Sequence, residues 1–191
     1  MLEQVTSLLR PLRSDIAEPT LELAVEIARE GREGRRIGTL FTLGSADDVM
    51  ARSQPLILDP LAGHPESIRH VSDPNFRGTV KELAQLDGAF VINGDGVFVA
   101  ACRYLDARAS GLRLPQGLGA RHMAAAAISQ ATSAVGIVVS QTATVRVFKS
   151  GKIVAEVLPE LWLLGRYTSY LPGPIRTDQV SNMAVLVPEE R

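Results

Sequence analysis

A chain of 191 residues that is 46% hydrophobic is sized for one domain with a sizeable core. Its 20 Lys/Arg nearly balance 21 Asp/Glu, for a formal charge of −1. That balance argues against a nucleic-acid coat or a membrane-surface protein and leaves any nucleotide site to local placement of charge. Cys102 is the single cysteine, so an intrachain disulfide and a thiolate metal cluster are excluded. In the apolar run "FVAACRY" it reads as a buried small hydrophobe.

The N-terminal "MLEQVTSLLRPLRSD" lacks the pattern of a signal peptide, and no apolar run approaches the ~20 residues of a membrane helix. A soluble, cytoplasmic protein is expected. Residues 1–19 read as a short helix broken at Pro11 and a linker to Pro19. "PTLELAVEIARE" then predicts a helix capped by Thr20, with Leu21, Val25 and Ala28 at helical spacing. "REGREGRR" mixes signs and reads as a solvated turn rather than a phosphate patch. "RIGTLFTLG" is apolar on both faces, the habit of a central strand. "SADDVMARS" reads as a helix with a capping serine and an acidic first turn. Gln54 to Pro74 is a long, proline-rich connection with room for one short helix. His64 and His70 lie there without the company a metal site needs.

"NFRGTVKELAQL" predicts a helix with Val80, Leu83 and Leu86 on one side. "AFVI" and "VFVAA" are strands joined through the hairpin signal "NGDG". A loop rich in turn formers leads to an alanine-rich helix from about Arg121 to Ser133. "AVGIVVS" is a buried strand, and "TVRVFKSGKIVAEVL" a second hairpin around Ser150–Gly151. "PELWLLGRYTSYL" reads as an amphipathic helix opened by Pro159. The tail after it is an extension or strand. The fold class is α/β: a single domain with a mixed sheet flanked by helices. Residues 1–34 and 161–191 are expected as extensions around a nucleotide-binding core at 35–160.

Three places concentrate polar groups beside apolar elements. Asp87–Gly88–Ala89 is either a simple turn or a carboxylate held at a sheet edge, able to bind a metal or take a proton. Gly117–Leu118–Gly119–Ala120–Arg121–His122 precedes a helix whose N-terminus favours an anion. There Arg121 can clamp phosphate oxygens and His122 can add a donor; the alternative is a surface arginine and a packed histidine. Two potentially cationic groups at a positive helix end cost stability unless something negative arrives, and a phosphate meets that need. Ser140–Gln141–Thr142 ends a strand, where α/β proteins hold ligands, or simply leaves the core into a turn. Together a carboxylate and a phosphate clamp are the inventory of nucleotide phosphoryl or nucleotidyl transfer. Neither a Walker sequence nor a Rossmann glycine fingerprint is present.

"DGA" at Asp87–Ala89, "GARHMAA" at Gly119–Ala125 and "VVSQ" at Val138–Gln141, in this order and spacing, resemble the diadenylate cyclase domain family. This is the nucleotide-binding domain also found in DNA integrity scanning proteins. "GREGRRIGTLFTLG" and "TVRVFKSGKIVAEVLP" resemble its archaeal-type branch. The resemblance covers roughly residues 35–160. It implies condensation of two ATP into cyclic di-AMP and two pyrophosphates, with Mg²⁺ or Mn²⁺. It also implies a homodimer or higher homo-oligomer in which two subunits each supply half a site, with no nucleic-acid polymer and no membrane as partner.

On this resemblance Asp87 serves the ribose 3′-hydroxyl and the metal, and Gly88 and Ala89 leave room for the nucleotide. Tyr104 and Leu105 lie against adenine, Gly119, Arg121 and His122 hold the phosphates, and Ser140 adds a hydroxyl. Asp87, Arg121 and His122 are the expected catalytic residues. The chain departs from the family at Met123, where arginine is usual, at Ala120, often threonine, and at Gln141, often glutamate. These departures define a second reading, a nucleotide-binding module that has lost catalysis. A third is a nucleotidyltransferase for another nucleotide.

Overall fold

Thr39–Leu43, buried at all five positions, forms strand β1 at the centre of a seven-stranded mixed sheet. The computed structural model describes residues 2–106, 111–112, 114–159, 175–180 and 183–188. Before β1 come helices α1 (Leu2–Leu8) and α2 (Ser14–Glu30). After it come α3 (Ala46–Ala51), β2 (Ser53–Pro55), α4 (Pro74–Leu83), β3 (Ala89–Ile92), β4 (Phe98–Leu105) and α5 (Ala120–Ala131). Strands β5 (Val135–Val139), β6 (Val145–Lys149) and β7 (Lys152–Val157) follow. The sheet order is β2-β4-β3-β1-β5-β6-β7, with β1 parallel to β3 and antiparallel to β5. Strands β8 (Ile175–Val180) and β9 (Met183–Pro188) pair as a separate two-stranded sheet.

Period-two alternation divides the core between the faces of the sheet. Phe41, Leu43, Phe90, Ile92, Ile137 and Val139 point to one face, where α2 and α4 pack through Leu21, Leu23, Ile27, Phe76 and Val80. Phe41 stacks on Phe90 at 5.1 Å between ring centroids, and Phe98 meets both edge-on. Arg77 and Lys81 of α4 bridge to Glu26 of α2 across this layer. Leu40, Ala89, Val91, Val138 and Phe148 point to the other face, against α5 and Val49 of α3. The alanines of α5 let it lie close to the sheet. A Cβ on Gly136 of β5 would sit 2.9 Å from that of Ala125, so small residues on both partners set this spacing.

Strand β4 carries a bulge. Ala89 opposes Arg103, yet Val91 opposes Ala100, so β4 spends one more residue than β3 over the same rise. Cys102 takes the left-handed conformation there, with φ 53°. Asp59 pins the bulge, its Oδ1 accepting from the Ala101 N–H at 3.1 Å.

The mixed sheet, the central strand, both hairpins and the alanine-rich helix match the sequence reading; several local details differ. α2 begins at Ser14 and contains Pro19, so Thr20 is not a cap. It is fully buried, and its hydroxyl donates to Ile16 O at 2.8 Å. Ser45 has φ 44° and makes no capping hydrogen bond, the turn being made by left-handed Gly44 and Ser45. The Gln54–Pro74 connection holds the end of β2 as well as one 3₁₀ turn at Glu66–Ile68. Leu86 lies beyond α4 and is exposed. The expected helix from Pro159 lies outside the described residues beyond its first residue.

A candidate nucleotide site at the edge of the sheet

The N-terminal ends of β1 and β3, the C-terminal ends of β4 and β5, and the N-terminus of α5 meet at one edge of the sheet. They enclose a cavity of about 690 Å³. It receives Asp87, Gly88 and Ala89 from the start of β3, and Tyr104 and Leu105 from the end of β4. α5 contributes Gly119, Arg121 and His122, and Ser140 enters just after β5. Every residue proposed from the sequence therefore borders the same space. The geometry brings them together without assigning their roles.

Gly119 is the N-cap of α5 and offers no side-chain acceptor to the leading N–H groups. Arg121 donates from Nη2 to Asp87 Oδ1 at 3.0 Å. The negative group that answers the cation at this helix end is thus supplied by the chain itself. Gly38 makes room for the arginine, since a Cβ there would stand 3.3 Å from Arg121 Nη1. The Asp87 side chain is 78% exposed, so both its own carboxylate and the pair remain open to solvent. Ser140 sits in a tight turn. Its hydroxyl meets Thr142 Oγ1 at 2.9 Å and accepts from the Thr142 N–H.

His122 differs from its neighbour. It is buried, its ring lies edge-on to Phe148, and Arg146 Nη1 approaches Nε2 at 3.3 Å. Burial, then the positive charges of Arg146 and Arg121, lower its pKa below the ordinary 6.5; Glu156 opposes this weakly. It belongs to the site as a neutral imidazole rather than as a second cation. A histidine whose pKa is lower in the folded than in the unfolded chain favours folding when neutral. Its contribution is complete above about pH 6.5 and falls as pH drops from there toward the folded pKa. Melting temperatures recorded from pH 7.5 to 5 should therefore decline less steeply in His122→Gln than in the parent chain. Parallel curves would place the acid sensitivity elsewhere.

The sequence reading missed two arginines. Arg103 borders the cavity from β4 and is held by Ser53, donating from Nε to Oγ at 3.1 Å and from Nη2 to the carbonyl at 2.7 Å. It opposes Ala89 across the strand pair and so shares that residue's face of the sheet. Arg146 stands behind His122 on the face where an inward position of a hairpin strand would carry an apolar residue. "VRV" reads there as a solvated alternation. Met123 and Gln141 also line the cavity, Met123 being 38% exposed. His64 and His70 play no part: His70 holds Asp95 O and the Ser72 N–H. Among the described residues no group of three or more His, Cys, Asp or Glu could hold a metal by itself. No helix among them is long and apolar enough to cross a membrane.

A mixed sheet packed by helices on both faces, with these groups gathered at one end of its strands, defines an α/β protein. The chain belongs to the family described as DisA bacterial checkpoint controller nucleotide-binding, whose model matches residues 26–153. It is 50% identical over 145 residues to a diadenylate cyclase of Methanocaldococcus jannaschii, covering 75% of this chain and 46% of that protein. It is 42% identical over 148 residues to a diadenylate cyclase of Haloferax volcanii, covering 77% and 54%. The chain thus spans about half the length of these curated relatives. The fold is that of DacA from Staphylococcus aureus, solved as a double mutant. There the TM-score is 0.51 at 22% identity, over 80% of this chain and 95% of that one.

Proposed function

We propose that the chain is a diadenylate cyclase domain that joins two ATP molecules into cyclic di-AMP and releases two pyrophosphates. The observation that carries this reading is the meeting of Asp87, the N-terminus of α5 with Arg121, and Ser140 around one cavity. The similarity to two diadenylate cyclases supports it.

Each ribose 3′-oxygen attacks the α-phosphorus of the other ATP in line. The bond to the bridging oxygen breaks, and pyrophosphate leaves with its electron pair. On this reading Asp87 takes the hydroxyl proton, directly or through water. Arg121 and the leading N–H groups of α5 offset charge that builds on the phosphate oxygens. Tyr104, 49% exposed, and Leu105 offer apolar surface to the base. His122 presents an uncharged donor.

The residues suit a divalent cation of the Mg²⁺ or Mn²⁺ kind. Among the described residues lining the cavity Asp87 is the sole carboxylate, and such ions are commonly held by one or two carboxylates with substrate phosphates completing the shell. The cation would supply neutralisation of the triphosphate. Two facing subunits would each bring one such cavity. The exposure of Asp87 and the apolar rim of Leu56 and Tyr104 support that arrangement.

Purified protein incubated with ATP and Mn²⁺ or Mg²⁺ should yield cyclic di-AMP, identified by chromatography and mass spectrometry. Its specific activity should fall on dilution as the two half-sites part. Absence of product with ATP still bound by calorimetry would favour the second reading, a binding module. The cavity positions of Met123 and Gln141 motivate it. Met123→Arg adds a charged donor at the mouth of the helix. A charge-assisted contact is worth about 1.5–3 kcal/mol, so turnover or ATP affinity should rise about ten- to a hundredfold. No gain would mean that this position does not touch phosphate here.

A further inference from the structure

We infer that Arg146 is a positioning residue for the phosphate clamp: it fixes His122 in the tautomer that carries its proton on Nδ1, and so aims that one donor at the cavity. The argument is one of hydrogen-bond inventory. A guanidinium has five donors and no acceptor. Arg146 Nη1 lies 3.3 Å from His122 Nε2, so Nε2 must accept and cannot carry hydrogen. The proton of a neutral ring is then on Nδ1. Among the described residues nothing pairs with Nδ1, and His122 borders the cavity.

The arginine is itself held from behind. Arg146 and Glu156 are directly opposed across β6 and β7, and Arg146 Nη2 donates to Glu156 Oε1 at 3.0 Å. On its other flank Arg146 opposes Val138, a residue of the cavity wall. The chain Glu156–Arg146–His122 therefore runs from the sheet surface to the cavity. The charged groups that act on His122 from its surroundings are Arg121 on its own helix and Arg146 and Glu156 on β6 and β7; Phe148 supplies an apolar edge. A doubly protonated ring would turn an N–H toward Arg146, so this arrangement selects a neutral donor beside the charged one.

This inference rests on the nucleotide reading only for the identity of the ligand, and its test is independent of turnover. Nitrogen NMR of the imidazoles in the intact chain at pH 7.5, with His122 assigned through His122→Gln, should show an acceptor-type Nε2 and a protonated Nδ1. An Nε2–H tautomer or an imidazolium in the parent protein would overturn the proposal. Arg146→Met should mix the tautomers and raise the KM or Kd for ATP about two- to tenfold with kcat little changed. Arg146→Lys, a donor without an acceptor, should restore the Nδ1–H form. Unchanged spectra and affinity in Arg146→Met would equally overturn it. Should that variant not fold, the parent spectrum decides. Should ATP not bind at all, the tautomer still tests Arg146 while the nucleotide reading fails separately.

Discussion

Asp87→Asn should abolish cyclic di-AMP formation while leaving the protein folded. The substitution keeps the shape of the side chain and an oxygen that can still accept from Arg121. It removes the negative charge that, in the proposed mechanism, takes a proton and attracts a cation. Loss of a single group stabilising a transition state of this kind typically costs about a hundredfold or more in rate. The stability cost is small, because an exposed ion pair is worth about 0–1 kcal/mol, and Asp87 is 78% exposed. For a chain of this size that shifts the melting temperature by about 2–4 °C at most. Product assay and thermal melt on the same preparation separate chemistry from folding. Full activity in the variant would remove Asp87 from the mechanism, and with it the carboxylate half of the proposed site.

Gly88→Ala should produce a large loss of stability from the addition of one methyl group. Gly88 has φ +107°, and a Cβ there would stand 2.5 Å from the carbonyl carbon and 2.6 Å from the Cα of Cys102. Both atoms are backbone, so no side chain can rotate away. Strain at such a φ costs about 1–3 kcal/mol, and forcing packed atoms apart adds about 1–3 kcal/mol. A fall in melting temperature of roughly 5–20 °C is expected. Gly94→Ala is the control, with no positive φ and no atom within 4 Å of the added methyl. The damage should also reach ATP binding, because the backbone that must yield precedes Arg103, Tyr104 and Leu105. Equal melting of both variants would mean that the bulge adapts freely.

The strands were legible because burial imposes composition. "TLFTL" and "VGIVV" have no polar face and can only be interior strands, and "NGDG" leaves the intervening turn little choice. The site was legible in part for a similar reason. An arginine at a helix start is a costly residue for that place and signals a counterpart, whereas Asp87 before Gly88 reads equally well as a turn former. What stayed hidden depended on relations that a linear pattern does not carry. Arg103 opposes Ala89 and shares the face of Leu105, a pairing reached through two register shifts between β3 and β4. Pro19 looked like a helix boundary, yet α2 runs through it. Strand β2 escaped notice because it is a short edge strand ending in proline, a residue edges tolerate. The lowered pKa of His122 comes first from its burial and then from Arg146, which is 24 residues away and on another element.

The contact between Arg121 and Asp87 makes two binding events share a single obstacle. On the proposed reading, a phosphate would engage every donor of Arg121, or a cation both oxygens of Asp87, only once the pair between them has loosened. Whichever ligand arrives first bears the cost of separating them, and the second enters a site already opened. The two affinities are then linked, each ligand raising the other's by the same factor, with no movement of the fold required. An exposed pair worth up to about 1 kcal/mol sets that factor at no more than about fivefold. Salt, which weakens the pair in advance, should shrink it.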